Sequence, residues 1–235
     1  MQEIWDDYVN HMYQQDSKQR ESAIKLLENN YKKYFPKDKN ARVLDIGYGR
    51  GEMLTCMKDG GGYLHYEGVD ISKSTFNFCK SIGLQCALTD DVKKWLSSSN
   101  NRYEMITLLS VIQYIKKEEV VPYLNQIYQS LKPGGVFIIQ APNAQSPDSA
   151  HYLHHDIMSE VFFSEASLGQ VLSAAGFTDI SFYGFEASLS TGVKGFIKRG
   201  IRRLYWESVR LTRAINNNIN PRILNPMIYA VARKE

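Results

Sequence analysis

Between residues 42 and 140, short apolar runs trade places with stretches whose apolar residues return at helical spacing. The runs at 42–46, 66–69, 84–88, 104–110 and 136–140 predict five strands. The fourth is the most apolar, as a strand buried on both faces should be. The first intervening helix starts at Glu52, carries Leu54 and Met57, and is broken by Gly60-Gly61-Gly62. Ser72 caps a second helix, which Gly83 ends, and a third surrounds Trp95. A fourth, 117–131, closes on Pro133-Gly134-Gly135, a tight turn into the fifth strand. Regular alternation of strand and helix implies an α/β fold with a parallel, doubly wound sheet.

The flanks break that rhythm. Residues 2–15 predict a short helix. A second, capped at Asp16 or Ser17, carries Ile24, Leu27, Tyr31 and Tyr34 at helical spacing and ends before Pro36. This N-terminal unit, 1–36, is expected either to cover the ligand crevice or to pack on the sheet edge. Residues 141–163 hold Pro142, Pro147 and a histidine cluster, and read as a functional loop. Ser164 then caps a helix over 168–175, ended by Gly176. A strand at 177–183, a basic amphipathic helix at 193–215 and a last strand at 227–232 follow. The core is thus expected to run 37–192 and to resume at 217–235, with the helix 193–216 between.

Composition narrows the class. A chain of 235 residues with 43% apolar content can bury one large core. A net charge of +3 is too small for wholesale polyanion binding, and no separate RNA-binding module is visible, so nucleic acid is not an expected partner. Cys56, Cys79 and Cys86 are an odd number without a Cys-x-x-Cys. They fit reduced thiols in a cytoplasmic setting better than a disulfide framework or a zinc knuckle. No basic segment followed by an apolar one opens the sequence, and the longest apolar run, 105–111, is too short to span a bilayer.

Candidate chemistry concentrates at 43–51, Val-Leu-Asp-Ile-Gly-Tyr-Gly-Arg-Gly. A strand that runs through glycines into a helix lets a ligand approach bare backbone at a helix N-terminus. A dinucleotide fingerprint needs its third glycine at position 52, where this chain has Glu52; the glycines are Gly47, Gly49 and Gly51. Asp45, two residues before the first glycine, would face a pyrophosphate poorly. It suits a ligand with an ammonium group and no phosphate, such as S-adenosylmethionine (SAM). The plainer alternative is a tight strand–helix turn with no ligand.

With this stretch the chain resembles the class I SAM-dependent methyltransferases, over residues 41–183. VLDIGYGRGE resembles the family's first motif; GVDIS places Asp70 at the end of strand two; DDVKKWL, YEMITLLSVIQYI and LKPGGVFII follow in the family's order. The resemblance implies a Rossmann-like sheet, mostly parallel with an antiparallel last strand, and SAM as cofactor. It implies cofactor contacts from Asp45, Gly47, Tyr48, Gly49 and Gly51. Asp70 and Ile71 would meet the ribose, Asp90 or Asp91 with Val92 the adenine, and Leu109 and Ser110 the end of strand four. The plainer readings have Asp70 cap the helix that follows it, a role it can combine with ribose contact, and Asp90-Asp91 form an N-cap pair. Tyr48 departs from the small residue or Cys common in relatives. It lies over the amino acid end of SAM or points to a neighbouring helix. Gln113-Tyr114 stands where many relatives have Glu-His, leaving Tyr114 to line the substrate side.

Methyl transfer from a sulfonium asks the protein to align the acceptor and, for a hydroxyl, to remove its proton. Residues 151–160, His-Tyr-Leu-His-His-Asp-Ile-Met-Ser-Glu, hold three of the five histidines. With Pro142-Asn143 and the run 162–177, this segment resembles methyltransferases of surface-polysaccharide biosynthesis. Asp156 and Glu160 match their acids, but Ser159 stands where they carry a histidine. His155, beside Asp156, is the first candidate for general base and His154 the second. Two other readings remain open: a divalent-metal site from His151, His155 and Asp156, and a polar loop whose histidines bond the backbone.

The helix at 193–215 has seven Lys or Arg against one acid, Glu207, so it carries +6 in a chain of net +3. Ile197, Ile201, Leu204, Leu211 and Ile215 form one apolar stripe beside a cationic face. Such a helix can lie on an anionic membrane surface or meet a polyanionic carrier, and it can equally dock on its own domain or on a second subunit. Together these features predict a cytoplasmic methyltransferase, peripheral to a membrane or not, that O-methylates a saccharide hydroxyl. The rivals are a small non-sugar acceptor and a fold that binds SAM without transfer.

Overall fold

The computed structural model describes residues 17–151, 156–187, 192–216, 218 and 220–235. Its strands are β1 (Arg42–Ile46), β2 (His65–Asp70), β3 (Cys86–Leu88), β4 (Tyr103–Leu109), β5 (Leu131–Pro142), β6 (Asp179–Gly184) and β7 (Met227–Arg233). They form one sheet in the order β3-β2-β1-β4-β5-β7-β6. The first five are parallel, and β7 runs antiparallel between β5 and β6. The helices are α1 (Ser17–Tyr31), α2 (Glu52–Thr55), α3 (Lys73–Ser81), α4 (Val92–Ser97), α5 (Val120–Ser130), α6 (Glu165–Ala174) and α7 (Gly192–Ile215).

Both faces of the sheet are covered, which is why its strands read as near-continuous apolar runs. Leu44, Ile46, Ile106, Leu108, Phe137 and Ile139 pack on one face. The alternate positions Val43, Met105, Ile138 and Val231 pack on the other, with Tyr31, Leu54 and Met57 from the helices there. The strand order reverses at β1, whose neighbours are β2 and β4. Open α/β sheets place their ligand crevice at the carboxyl ends of strands at such a point.

Several elements differ from the sequence expectation. Pro133-Gly134-Gly135 does not precede the fifth strand; it lies inside β5, which starts at Leu131. The register with β4 shifts there, and the displaced backbone is satisfied from the other neighbour, at the end of β7: Gly134 N–H donates to Lys234 O and Lys234 N–H to Gly135 O. The helix after the glycines holds α geometry for one turn and widens into a π turn over Cys56–Gly60. The stretch 117–131 starts as a 3-10 turn, Lys117–Glu119, before α5. β4 stops at Leu109 because Ser110 turns left-handed, with φ of 57°.

Helix α1 packs against α2. Arg20 donates to Thr55 Oγ1 at 2.7 Å, and Tyr31 Oη donates to Gln140 Oε1 at the end of β5. Ser164 caps α6 through a reciprocal pair with Ser167, as its position promised. The helix expected over 2–15 lies outside the described residues, as do His154 and His155. Among the described residues no helix is long and apolar enough to cross a membrane.

Candidate active site

At the carboxyl ends of β1, β2 and β4 the structure opens a cavity of about 420 Å³. That lies within the span of small-molecule sites, about 300–1,000 Å³. Its floor is the turn between β1 and α2, where Gly47, Gly49 and Gly51 have φ of 69°, 50° and 75°. These left-handed values are open to glycine and costly for other residues. The three glycines do different work. A Cβ on Gly47 would stand 2.3 Å from Val111 Cγ2, and one on Gly51 2.4 Å from Leu84 Cδ1, so both let packed side chains close in. A Cβ on Gly49 would meet nothing within 4 Å. Gly49 lines the cavity, so its bare backbone faces open space.

Asp70 ends β2 and lines the same wall. Its Oδ2 accepts the Gly49 N–H at 3.0 Å and its Oδ1 the Ser72 N–H at 2.9 Å. One carboxylate therefore ties the glycine turn to the start of α3. The N-cap of that helix is Ser72, not Asp70. Beyond β3, Asp91 does cap α4, accepting from Lys94 N–H at 3.0 Å, and still lines the cavity with Asp90 and Val92. Capping and cavity lining thus coexist at Asp91.

On the other side of β1 the wall comes from Leu109, Ser110 and Tyr114. Ser110 is held by three bonds: its N–H to Gln140 O, its Oγ from Gln140 Nε2, and its carbonyl from Gln113 Nε2. A serine in a left-handed conformation is strained, and these three bonds hold Ser110 there at the cavity wall. Tyr114 Oη donates to Asp156 Oδ2 at 2.7 Å, and Asp156 Oδ1 accepts Met158 N–H at 2.9 Å. Gln113 O accepts the Glu160 and Val161 N–H groups. Met158 and Glu160 enter the cavity wall through this anchored loop.

Two side chains lie away from the cavity, and Tyr48 takes the second of its two readings. Tyr48 does not lie over the cavity. It is buried, packs on Gly68 and Leu54, and its hydroxyl donates to Ala87 O at 3.3 Å. The reason is local: Gly68 in β2 has no side chain, and the Tyr48 ring fills that space. Asp45 lies behind the wall formed by Ile46 and Gly47 and accepts Thr107 Oγ1 at 2.6 Å. Burial pushes its carboxyl up to about 8, and the charges of Asp70 and Glu52 add to the shift. Burial raises Glu52 as well. Gly51 belongs to the same turn but packs on Leu84 and Cys79 and does not line the cavity.

Of the remaining described forecasts, Gly47, Gly49, Asp70, Ile71, Asp90, Asp91, Val92, Leu109, Ser110 and Tyr114 line the cavity, while Asp156 stands behind Tyr114 and does not. Sequence reasoning did not assign Thr75, Lys93, Lys116, Glu119 and Tyr123 to it. Lys93 and Glu119 form an ion pair, and no motif marked them. Ser72, read as a cap, lines the cavity too. Among the described residues no group of three His, Cys, Asp or Glu side chains could hold a metal ion.

A family model described as a methyltransferase domain matches residues 17–181. The chain belongs to that family. The O-methyltransferase 3 of Dictyostelium discoideum is 24% identical over 161 residues, which are 59% of this chain and 37% of that protein. The chain therefore matches little more than a third of that relative's length. A SAM-dependent methyltransferase from Archaeoglobus fulgidus superposes with a TM-score of 0.67 at 23% identity, covering 90% of this chain and 94% of its own. The phosphoethanolamine N-methyltransferase 2 of Haemonchus contortus, solved with S-adenosyl-L-methionine, gives 0.57 at 17% identity over 97% and 59%. The fold is the class I fold of the SAM-dependent methyltransferases it superposes on, with an antiparallel β7. The cavity fits SAM on its own terms: an open glycine backbone at Gly49 and the Asp70 carboxylate at the wall.

Proposed function

We propose that this methyltransferase transfers the methyl group of SAM to a hydroxyl of a saccharide acceptor. SAM lies across Gly47 and Gly49, its ribose on Asp70 and Ile71, its adenine by Asp90, Asp91 and Val92. The acceptor enters on the Tyr114 side. The observation that carries this reading is the 2.7 Å bond from Tyr114 to Asp156, across β1 from Asp70. It joins two residues 42 positions apart and sets a polar wall, with Ser110 and Glu160, where an acceptor would stand. Hydrogen-bonding walls suit a polyol better than an apolar ring. The relative named an O-methyltransferase and the likeness of 141–177 to surface-polysaccharide methyltransferases agree with oxygen as acceptor atom.

SAM supplies an activated methyl on a sulfonium. The chain aligns the acceptor hydroxyl and takes its proton. His155, next to Asp156, receives that proton on a neutral imidazole nitrogen, and His154 stands second for the role. Both oxygens of Asp156 already hold partners, Tyr114 and the Met158 N–H, so Asp156 positions the loop and does not act as the base.

The test is transfer of labelled methyl from SAM to a panel of glycosides and of small phenols and amines. Labelled glycoside that alkali does not release is the expected product. Labelling confined to phenols or amines would replace the saccharide with a non-sugar acceptor. SAM binding without any product would leave a binding protein. His155→Ala should keep SAM affinity and lower turnover about a hundredfold, in the range for one acid–base group. Unchanged turnover removes His155 as the base.

A further inference from the structure

Helix α7 sits on the protein with its faces reversed. The side against the body is mixed: Gly195 is buried, Trp206 and Val209 are half-buried, Arg202 makes a bidentate pair with Glu186 at 2.9 and 2.5 Å, and Arg213 donates to Gln145 O at 2.9 Å. At 100° per residue, the apolar stripe lies diametrically opposite. Ile197, Ile201, Leu204, Leu211 and Ile215 are 53 to 73% exposed. A surface helix ordinarily buries its apolar stripe and shows its charges to water. Here Arg202 and Arg213 face the protein beside Trp206 and Val209, and a separate five-residue apolar stripe faces out.

We propose that α7 is an interfacial helix that docks this methyltransferase on an anionic membrane surface. Charge selects the occupant. Lys194 and Lys198 flank the stripe on one side and Arg203 on the other, all exposed. With one acid against seven cations, α7 concentrates positive charge in a chain whose remainder is net negative. Apolar residues enter the acyl boundary while flanking cations stay at anionic headgroups. A second copy of the same helix would bring like charge to like charge.

The attachment points also orient the molecule. Gln145 follows β5 and Glu186 follows β6, both at the carboxyl edge of the sheet where the cavity opens. A docked α7 holds that edge at the lipid surface, where an acceptor carried on a lipid would be met. The docking does not rest on the acceptor being a saccharide.

Flotation of the intact protein with vesicles of equal parts phosphatidylglycerol and phosphatidylcholine tests it. Binding is expected to anionic vesicles, to fall as salt rises, and to be at least about tenfold weaker on neutral ones. Ile201→Glu with Leu204→Glu should weaken it by about tenfold or more. Leu64→Glu, an equally exposed leucine elsewhere, should change nothing. Lack of flotation with anionic vesicles at low salt overturns the proposal. So does equal binding to neutral ones, or equal loss in Leu64→Glu. A dimer in light scattering that the Ile201/Leu204 pair dissolves would assign the stripe to a second copy instead. Docking is read without activity, so its failure leaves the transfer reaction untouched.

Discussion

The two sides of the cavity are built by different means. On the Asp70 side, main-chain geometry makes the wall: left-handed glycines, and a Gly49 N–H held by a carboxylate at the end of a buried strand. On the Tyr114 side, a long connection makes it. There Tyr114 reaches Asp156, and Gln113 O gathers the N–H groups of Glu160 and Val161. The first is short-range and rigid, anchored in parallel strands. The second depends on residues about forty positions apart finding one another.

The sharpest break of that contrast is Asp70→Ala. It removes the acceptor for two backbone N–H groups and the carboxylate proposed for the ribose. SAM affinity should fall by at least about a hundredfold, roughly 3 kcal/mol, by calorimetry. A loss under about threefold would move the cofactor away from this wall. Next comes a pair of glycine variants. Gly51→Ala adds a left-handed strain of about 1–2 kcal/mol to a clash with Leu84 and Cys79, so urea unfolding should lose roughly 3 kcal/mol. Gly49→Ala, with open space around it, should lose only about 1–2 kcal/mol of stability and more of its SAM affinity. Equal stability losses would show that the two glycines are not divided between packing and ligand.

Asp45 gives a pH signature of the rigid side. The folded protein keeps its proton up to about 8, while the unfolded chain releases it near the usual value of about 4. The folded state thus binds more protons between those values. This contribution is complete below about pH 4 and is lost as pH rises through 8. Unfolding free energy should drop by roughly 2 kcal/mol between pH 5 and 8 through this group, after allowance for relaxation of the buried site. Asp45→Asn can still accept from Thr107 and should flatten the slope.

What could be read from the chain follows the same division. Parallel strands were legible because burial on both faces makes them apolar, and the glycine turn because few residues tolerate its backbone. Asp45 was misplaced for want of the period-two rule: it shares a face with Val43, opposite Ile46, and so lies behind the wall. Tyr48 could not be placed from its own motif, since Gly68 in another strand makes room for its ring. The Pro-Gly-Gly bulge depends on Lys234, a hundred residues away. Lys93, Glu119 and Tyr123 reach the cavity by tertiary packing alone, which no local pattern encodes.

The smallest expected effect probes the loop-built side. Tyr114→Phe keeps the ring and removes the hydroxyl that donates to Asp156. Asp156 still holds Met158 N–H, and Gln113 still holds Glu160 and Val161, so the loop should keep its course. What changes is the set of the acceptor wall. Turnover should fall about tenfold, about 1.4 kcal/mol, the worth of one hydrogen bond to a charged group. SAM affinity should stay within about twofold, since Asp70 and the glycine turn lie across β1. Asp156→Asn, which keeps an acceptor oxygen for Tyr114, should recover part of the lost turnover relative to Asp156→Ala. If Tyr114→Phe weakened SAM and acceptor alike, the two sides would act as one unit, and the division drawn from their construction would not extend to function.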